Sequence, residues 1–158
     1  MDLEVAELDV LQADVDDESP QVLAALIERA LQEGALDAHL TPLTMKKSRP
    51  GTRVEILCRP DQRDAFIRML LLETSTLGVK ARRVERYAMP RRFEPLEVDG
   101  QPVRMKVALL DGQPVKAMPE FEDCRRAAAA LGLPVREVIR RALTSWESGR
   151  RRKESDSC

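Results

Sequence analysis

At 158 residues, with 43% hydrophobic and 34% charged side chains, the chain has the composition of a folded globular domain, which excludes a disordered or fibrous protein. No apolar run approaches the roughly 20 residues that cross a bilayer, and the acidic start Met1-Asp2-Leu3-Glu4 is unlike a secretory signal, so a cytoplasmic protein without membrane contact is expected. The net charge of −1 conceals a split: residues 1–44 hold eleven acids against the single base Arg29, whereas residues 45–158 hold 25 bases against 16 acids. Such a division favours contact between an acidic and a basic surface, within one molecule or between copies.

In chain order, Val5 to Ala13 reads as a strand running into the acidic cluster Asp14-Val15-Asp16-Asp17-Glu18. Ser19-Pro20 is an N-cap followed by a first-turn proline, and Val22, Leu23, Leu26, Ile27, Ala30 and Leu31 recur at helical spacing until Gly34. Ala35 to Met45 reads as a second strand with Pro42 marking an edge or a bulge. Ser48-Arg49-Pro50-Gly51 reads as a turn, and Arg53 to Cys58 as a third strand. Pro60-Asp61 opens a second helix through Phe66, Met69 and Leu70, ending near Glu73-Thr74-Ser75-Thr76, and a fourth strand alternates from Leu77 to Arg82.

That order is the β-α-β-β-α-β of a ferredoxin-like unit, so the expected class is α+β. Phe93 to Val98, Pro102 to Leu110 and Pro114 to Ala117 then form a hairpin meander, with Asp99-Gly100 and Asp111-Gly112 as turns. Two helices follow, one ending at Gly132 and one starting at Pro134 and carrying Trp146 at a core spacing. The expected organisation is a metal- and nucleotide-binding unit over residues 1–90, a meander with two helices over 91–148 packed with it as one domain, and a disordered tail over 149–158.

Cys58, Cys124 and Cys158 are far apart, no CxxC pair occurs and His39 is the only histidine. A Cys/His zinc site within one chain is thereby excluded, and Cys58 and Cys124 read as core fillers.

Asp14, Asp16 and Asp17 have the hard oxygen ligands that Mg²⁺ or Mn²⁺ takes when it travels with phosphates, or else they offset the dipole of the helix that follows. Lys46, Lys47 and Arg49 can grip a triphosphate, and Gly51 can let backbone amides approach it; the alternative is a solvated hairpin tip. Arg53 extends that basic group onto a strand. The hydroxyls of Thr74, Ser75 and Thr76 can donate to phosphate or ribose, or cap the helix locally. Arg104, Lys106 and Lys116 share a basic strand face, a continuation of the cleft or a wet surface. Glu120, Glu122 and Asp123 start a helix, as ligands for metal or base or as first-turn acids.

These motifs carry a resemblance. Asp14-Val15-Asp16-Asp17 with Pro20 is similar to the Asn-Ile-Asp-Asp-x-x-Pro-Glu segment of the LarC family, with Asp14 and Gln21 as departures. Gly34 to Asp37 with Leu40 to Gly51, then Glu73 to Val79, then Pro119 to Cys124, resemble three further signatures in order, and Met118 stands where a lysine is expected. The resemblance covers about residues 7–145 and implies the C-terminal, CTP-binding part of a nickel-insertion enzyme (a cyclometallase). LarC proteins insert nickel into pyridinium bisthiocarboxylic acid mononucleotide, completing the nickel-pincer cofactor of lactate racemase while hydrolysing CTP to CMP and pyrophosphate.

The resemblance therefore implies Mn²⁺ or Mg²⁺ carried with CTP on Asp14, Asp16 and Asp17. It implies Lys46 and Lys47 in catalysis, and Lys46, Lys47, Arg49, Arg53, Thr74, Thr76, Lys106 and Glu120 on the nucleotide. It also implies the family's N-terminal nickel-binding part as a partner and a trimer-based homo-oligomer. The alternatives are a ferredoxin-like nucleotide-sensing module without turnover, and an RNA-binding domain, against which the five aromatic residues tell. A nucleic-acid partner is not expected.

Overall fold

The structure, a computed structural model, describes residues 1–155. The chain divides into two compact units: Val5–Tyr87, and Met1–Glu4 together with the chain from Ala88 onward.

The Val5–Tyr87 unit is built from β1 (Glu4–Val15), α1 (Pro20–Gln32), β2 (Asp37–Met45), β3 (Arg49–Cys58), α2 (Arg63–Glu73) and β4 (Lys80–Ala88). Its strands lie in the order β2-β3-β1-β4, which is the split β-α-β arrangement that the sequence predicts. Antiparallel register pairs Leu11 with Ile56 and Ala13 with Val54, so these apolar residues share the face that meets the helices. Leu23, Leu26 and Ala30 of α1 and Phe66, Met69 and Leu70 of α2 close that core. The other face of the sheet is polar: Asp14 is opposite Arg53, and Gln12 is opposite Glu55, to which its amide donates.

Local chemistry sets the helix ends. The Ser19 hydroxyl accepts the Gln21 N–H at 3.3 Å, and Gly34 takes a positive φ of 96° just past α1. β3 starts four residues before its predicted start. Arg49, Pro50 and Gly51 are paired with β2, and the turn is made by Lys46–Ser48, with φ of 60° at Lys47 and 55° at Ser48. Pro50 is tolerated because it is the second residue of β3 and precedes Thr52, where pairing with β1 begins, so only β2 flanks it there. β4 starts at Lys80, later than predicted, because Thr76 Oγ1 donates to the Gly78 carbonyl at 2.9 Å and ties the preceding residues into a turn.

In the other unit, β5 (Arg91–Val98), β6 (Gln101–Leu110) and β7 (Gln113–Pro119) form an antiparallel sheet in sequential order. Both connections are two-residue turns with positive φ at Asp99, Gly100, Asp111 and Gly112, the backbone that suits the twist of a hairpin. Val103, Met105 and Val107 are buried against Cys124, Ala127 and Ala128 of α3 (Phe121–Leu131) and Val138 and Ala142 of α4 (Val135–Ser155). Trp146 packs against this cluster and its indole N–H donates to Glu94 at 3.0 Å. Cys58 and Cys124 are buried as expected, and burial pushes both thiols up.

One expectation is corrected here. The tail predicted from residue 149 is helical to Ser155, because one glycine costs a helix only about 1 kcal/mol. Residues 156–158, with Cys158, lie outside the described residues. Two cations of the basic face of β6 are paired within their own unit. Arg104 forks onto Asp123, with Nε at 2.8 Å and Nη2 at 3.1 Å, and Lys106 pairs with Glu120 at 2.6 Å. Glu120 at the N-cap of α3 and Asp123 in its first turn are the partners of that face, because β7 leads directly into α3 and brings them beside β6.

Asp123 is buried and also accepts the Arg104 backbone N–H at 3.1 Å. Arg104 above all, against the opposing cost of burial, holds its carboxyl at about 2, below its usual 3.8. A depressed folded value means that this stability is complete above the unfolded value and is lost as pH falls from about 4 to about 2. Urea unfolding at a series of pH values should therefore show an acid limb that Asp123→Asn flattens; an unchanged limb would exclude Asp123 as its source. No described helix is long and apolar enough to cross a membrane.

Candidate functional site

The β1–β3 register that builds the sheet also builds a groove. Asp14 and Arg53 are direct cross-strand partners on the polar face, near the end of the sheet where β1 gives way to the acidic cluster. Beside them lie Leu43, Thr44 and Met45 at the end of β2, Lys46 in the following turn, Thr76 and Gly78 in the α2–β4 connection, and Lys80 at the start of β4. The groove has a volume of about 500 Å³.

Its electrostatics centre on Asp14. The carboxylate accepts Arg53 Nε at 2.7 Å, Arg53 Nη2 at 3.1 Å and Lys80 Nζ at 2.7 Å. The Arg53 hydrogen bond is the largest influence and, with Lys80, holds the Asp14 carboxyl at about 2. The same contact raises Arg53. Arg53 and Lys80 hold this carboxylate and Lys46 borders the same groove, so the lining carries a net positive charge suited to phosphate oxygens.

The predicted residues divide between places. Asp14, Lys46, Arg53 and Thr76 come together in the groove. Asp16 turns to Arg49, whose Nη1 donates at 3.2 Å, and Asp17 accepts the Ser75 hydroxyl. The acidic cluster thus fans out as the chain leaves the sheet. Among the described residues no group of three or more His, Cys, Asp or Glu side chains is placed to hold a metal ion. Thr74 serves the turn: its hydroxyl donates to Leu70 O at 2.7 Å and accepts the Thr76 N–H at 3.3 Å. Lys47 does not border the groove, since its left-handed backbone carries the turn. Lys106 and Glu120 belong to the other unit.

Gly51 is used differently from its prediction. A methyl group there would meet the Met45 thioether and, at 2.9 Å, the Val15 carbonyl oxygen, so the missing side chain makes room for protein rather than for an anion. Lys80 is the residue that sequence reasoning missed. Its signal is the conjunction of a glycine, a strand start and a lysine two residues after Gly78, which turns a cation back over β1.

The donor set fits a divalent cation only together with phosphates. Asp14 is the single carboxylate on the lining, and Mg²⁺-like ions commonly take one or two carboxylates plus phosphate and water oxygens.

Comparison with known proteins places this geometry. The family model described as "Nickel insertion protein" matches residues 1–139. The curated "Putative nickel insertion protein" of Myxococcus xanthus is 45% identical over 136 residues, covering 86% of this chain and 35% of that protein. The Gloeobacter violaceus protein of the same name is 42% identical over 140 residues, covering 89% of this chain and 33% of that one. The chain thus spans about a third of the length of the curated relatives it matches. Among solved structures it resembles LarC2, the C-terminal domain of a cyclometallase involved in the synthesis of the NPN cofactor of lactate racemase, in its apo form. The TM-score is 0.85 at 30% identity, covering 91% of this chain and 99% of that one. A protein of Methanopyrus kandleri AV19 matches with a TM-score of 0.65 at 28% identity, covering 87% of each chain. The chain belongs to the nickel insertion protein family and corresponds to its LarC-type C-terminal domain.

Proposed function

We propose that this chain is the CTP-binding part of a nickel-insertion enzyme acting on pyridinium bisthiocarboxylic acid mononucleotide. The observation that carries this reading is the groove in which Lys46, Arg53, Lys80 and Thr76 converge from separate segments of a LarC2-like fold. Lys46 and Lys80 offer point charges to phosphate oxygens, Arg53 a planar fork, and Thr76 a hydroxyl. Asp14 is the carboxylate best placed for Mn²⁺ or Mg²⁺ accompanying CTP, with Asp16 available if it leaves Arg49. Such an ion offsets charge on the phosphates when CTP is cleaved to CMP and pyrophosphate. In the same step the lysines and arginine hold the departing phosphate oxygens and keep the chain of phosphates extended.

Nickel is the cargo of the reaction, and the N-terminal part of the family's longer proteins is the proposed source of its ligands. Self-association into a trimer-based assembly belongs to the same reading.

A thermal-shift comparison of CTP, UTP, ATP and GTP, each with Mn²⁺ and with Mg²⁺, tests the nucleotide assignment. CTP with Mn²⁺ is expected to give the largest rise, and a ligand at a hundred times its dissociation constant stabilises by about 2.7 kcal/mol. Equal or absent shifts for all four nucleotides would remove the assignment.

A further inference from the structure

Asp14 sits between two cations in the way that a phosphate does. The Arg53 guanidinium donates to it through Nε and Nη2, and the Lys80 ammonium donates to the same oxygen as Nη2. A planar fork and a point charge around one anion is the arrangement with which proteins hold phosphoryl groups. Exposure differs among the three: the Asp14 side chain is 17% exposed, Arg53 36% and Lys80 68%. The cations are therefore open to the groove while the carboxylate is largely covered. With Asp14 in contact, much of the charge they can offer an incoming phosphate is already cancelled.

We propose that Arg53 and Lys80 form a phosphate subsite, that Asp14 competes with phosphate for it, and that Asp14 gives up the pair when its carboxylate passes to the divalent cation accompanying the nucleotide. The proposal rests on the reading of the groove as a nucleotide site and adds to it a rule of entry. A phosphate arriving alone must displace a carboxylate from both cations. A divalent cation arriving alone must take the carboxylate away from both. Arriving together, each satisfies the partner that the other has displaced, so the two binding events favour one another by the same factor. Lys80 thereby becomes a specificity-determining residue for the metal-bound form of the nucleotide.

Isothermal titration of the full chain with inorganic tripolyphosphate and with CTP, in EDTA and in Mn²⁺, tests this. Asp14→Asn keeps the side-chain size and removes the charge. In EDTA it should bind tripolyphosphate about fivefold more tightly than the parent chain, and its gain from Mn²⁺ should shrink. Adding Lys80→Ala to Asp14→Asn should abolish the metal-free gain. Metal-free affinity of Asp14→Asn at or below the parent value overturns the proposal, as does a gain that survives Lys80→Ala. If circular dichroism shows that Asp14→Asn does not fold, Lys80→Ala alone decides: it should weaken tripolyphosphate binding in Mn²⁺ about fivefold, and unchanged affinity is the overturning result. A parent chain that binds CTP with Mn²⁺ while Asp14→Asn shows no metal-free gain rejects the subsite and spares the nucleotide assignment. A parent chain that binds neither ligand rejects both.

Discussion

Replacing Lys46 with alanine will weaken CTP binding by about tenfold or more and leave cytidine binding unchanged, because a hydrogen bond to a charged group contributes about 1.5–3 kcal/mol. Lys46 borders the groove, whereas the adjacent Lys47 spends its conformation on the turn, with φ of 60°. Lys47→Ala is therefore expected to cost less than about threefold, the range of an exposed charge with no fixed partner. Both side chains are exposed, so the stability of either variant should stay within about 0.5 kcal/mol of the parent. Rising salt should narrow the gap between parent and Lys46→Ala as it screens the phosphate contact. Titration calorimetry with CTP and cytidine reads all of this. Equal losses at the two lysines, or none at either, would make the turn an ordinary solvated hairpin tip.

Phe66→Ala should destabilise the Val5–Tyr87 unit by about 3–5 kcal/mol. Phe66 is only 2% exposed and stands between the helices and the sheet in a cluster with Leu11, Ile56 and Leu70. The lost ring leaves both a transfer deficit and a cavity, since the surrounding side chains arise from two helices and a sheet that cannot all move inward at once. Urea unfolding followed by far-ultraviolet circular dichroism measures the change. A loss under about 1 kcal/mol would mean that this core closes over the gap.

The fold was legible in the sequence wherever a periodic pattern and its punctuation agreed. Ser19-Pro20 and Gly34 bracket α1, Asp99-Gly100 and Asp111-Gly112 mark the two hairpins, and the alternation of Val103, Met105 and Val107 points to the face they bury. It was misread where punctuation residues serve packing. Pro50 and Gly51 look like a turn, yet both are paired in the β2–β3 ladder, and the left-handed residues are a lysine and a serine. In the site, cross-strand register was the hidden variable. Asp14 and Arg53 are 39 positions apart and adjacent in the sheet, a relation that needs the register of β1 on β3. The members of the acidic cluster are neighbours in sequence, which by itself does not separate ligands from partners of the helix dipole. Strand alternation and the exit from the sheet send Asp14, Asp16 and Asp17 to separate partners. Lys106 and Glu120 are 14 positions apart in sequence and form an ion pair, a relation that needs the placement of α3 beside β6.

The contact beneath Gly51 ties the reach of the turn to the floor of the sheet. Met45 lies directly before Lys46, and its thioether occupies the space that a side chain at position 51 would claim. A larger residue there meets the Met45 thioether on one side and the Val15 carbonyl oxygen on the other, so β3 can take one only if the Met45 side chain and the Val15 peptide both give way. Selection for a new ligand in this groove can therefore vary Lys46 in chemistry, while the left-handed backbone at Lys47 and Ser48 and the space kept by Gly51 hold the turn in place. A library that randomises residues 46–51 as one block would mix two unlike experiments, one on charge and one on the tilt of a hairpin. Holding Gly51 and Met45 fixed separates them.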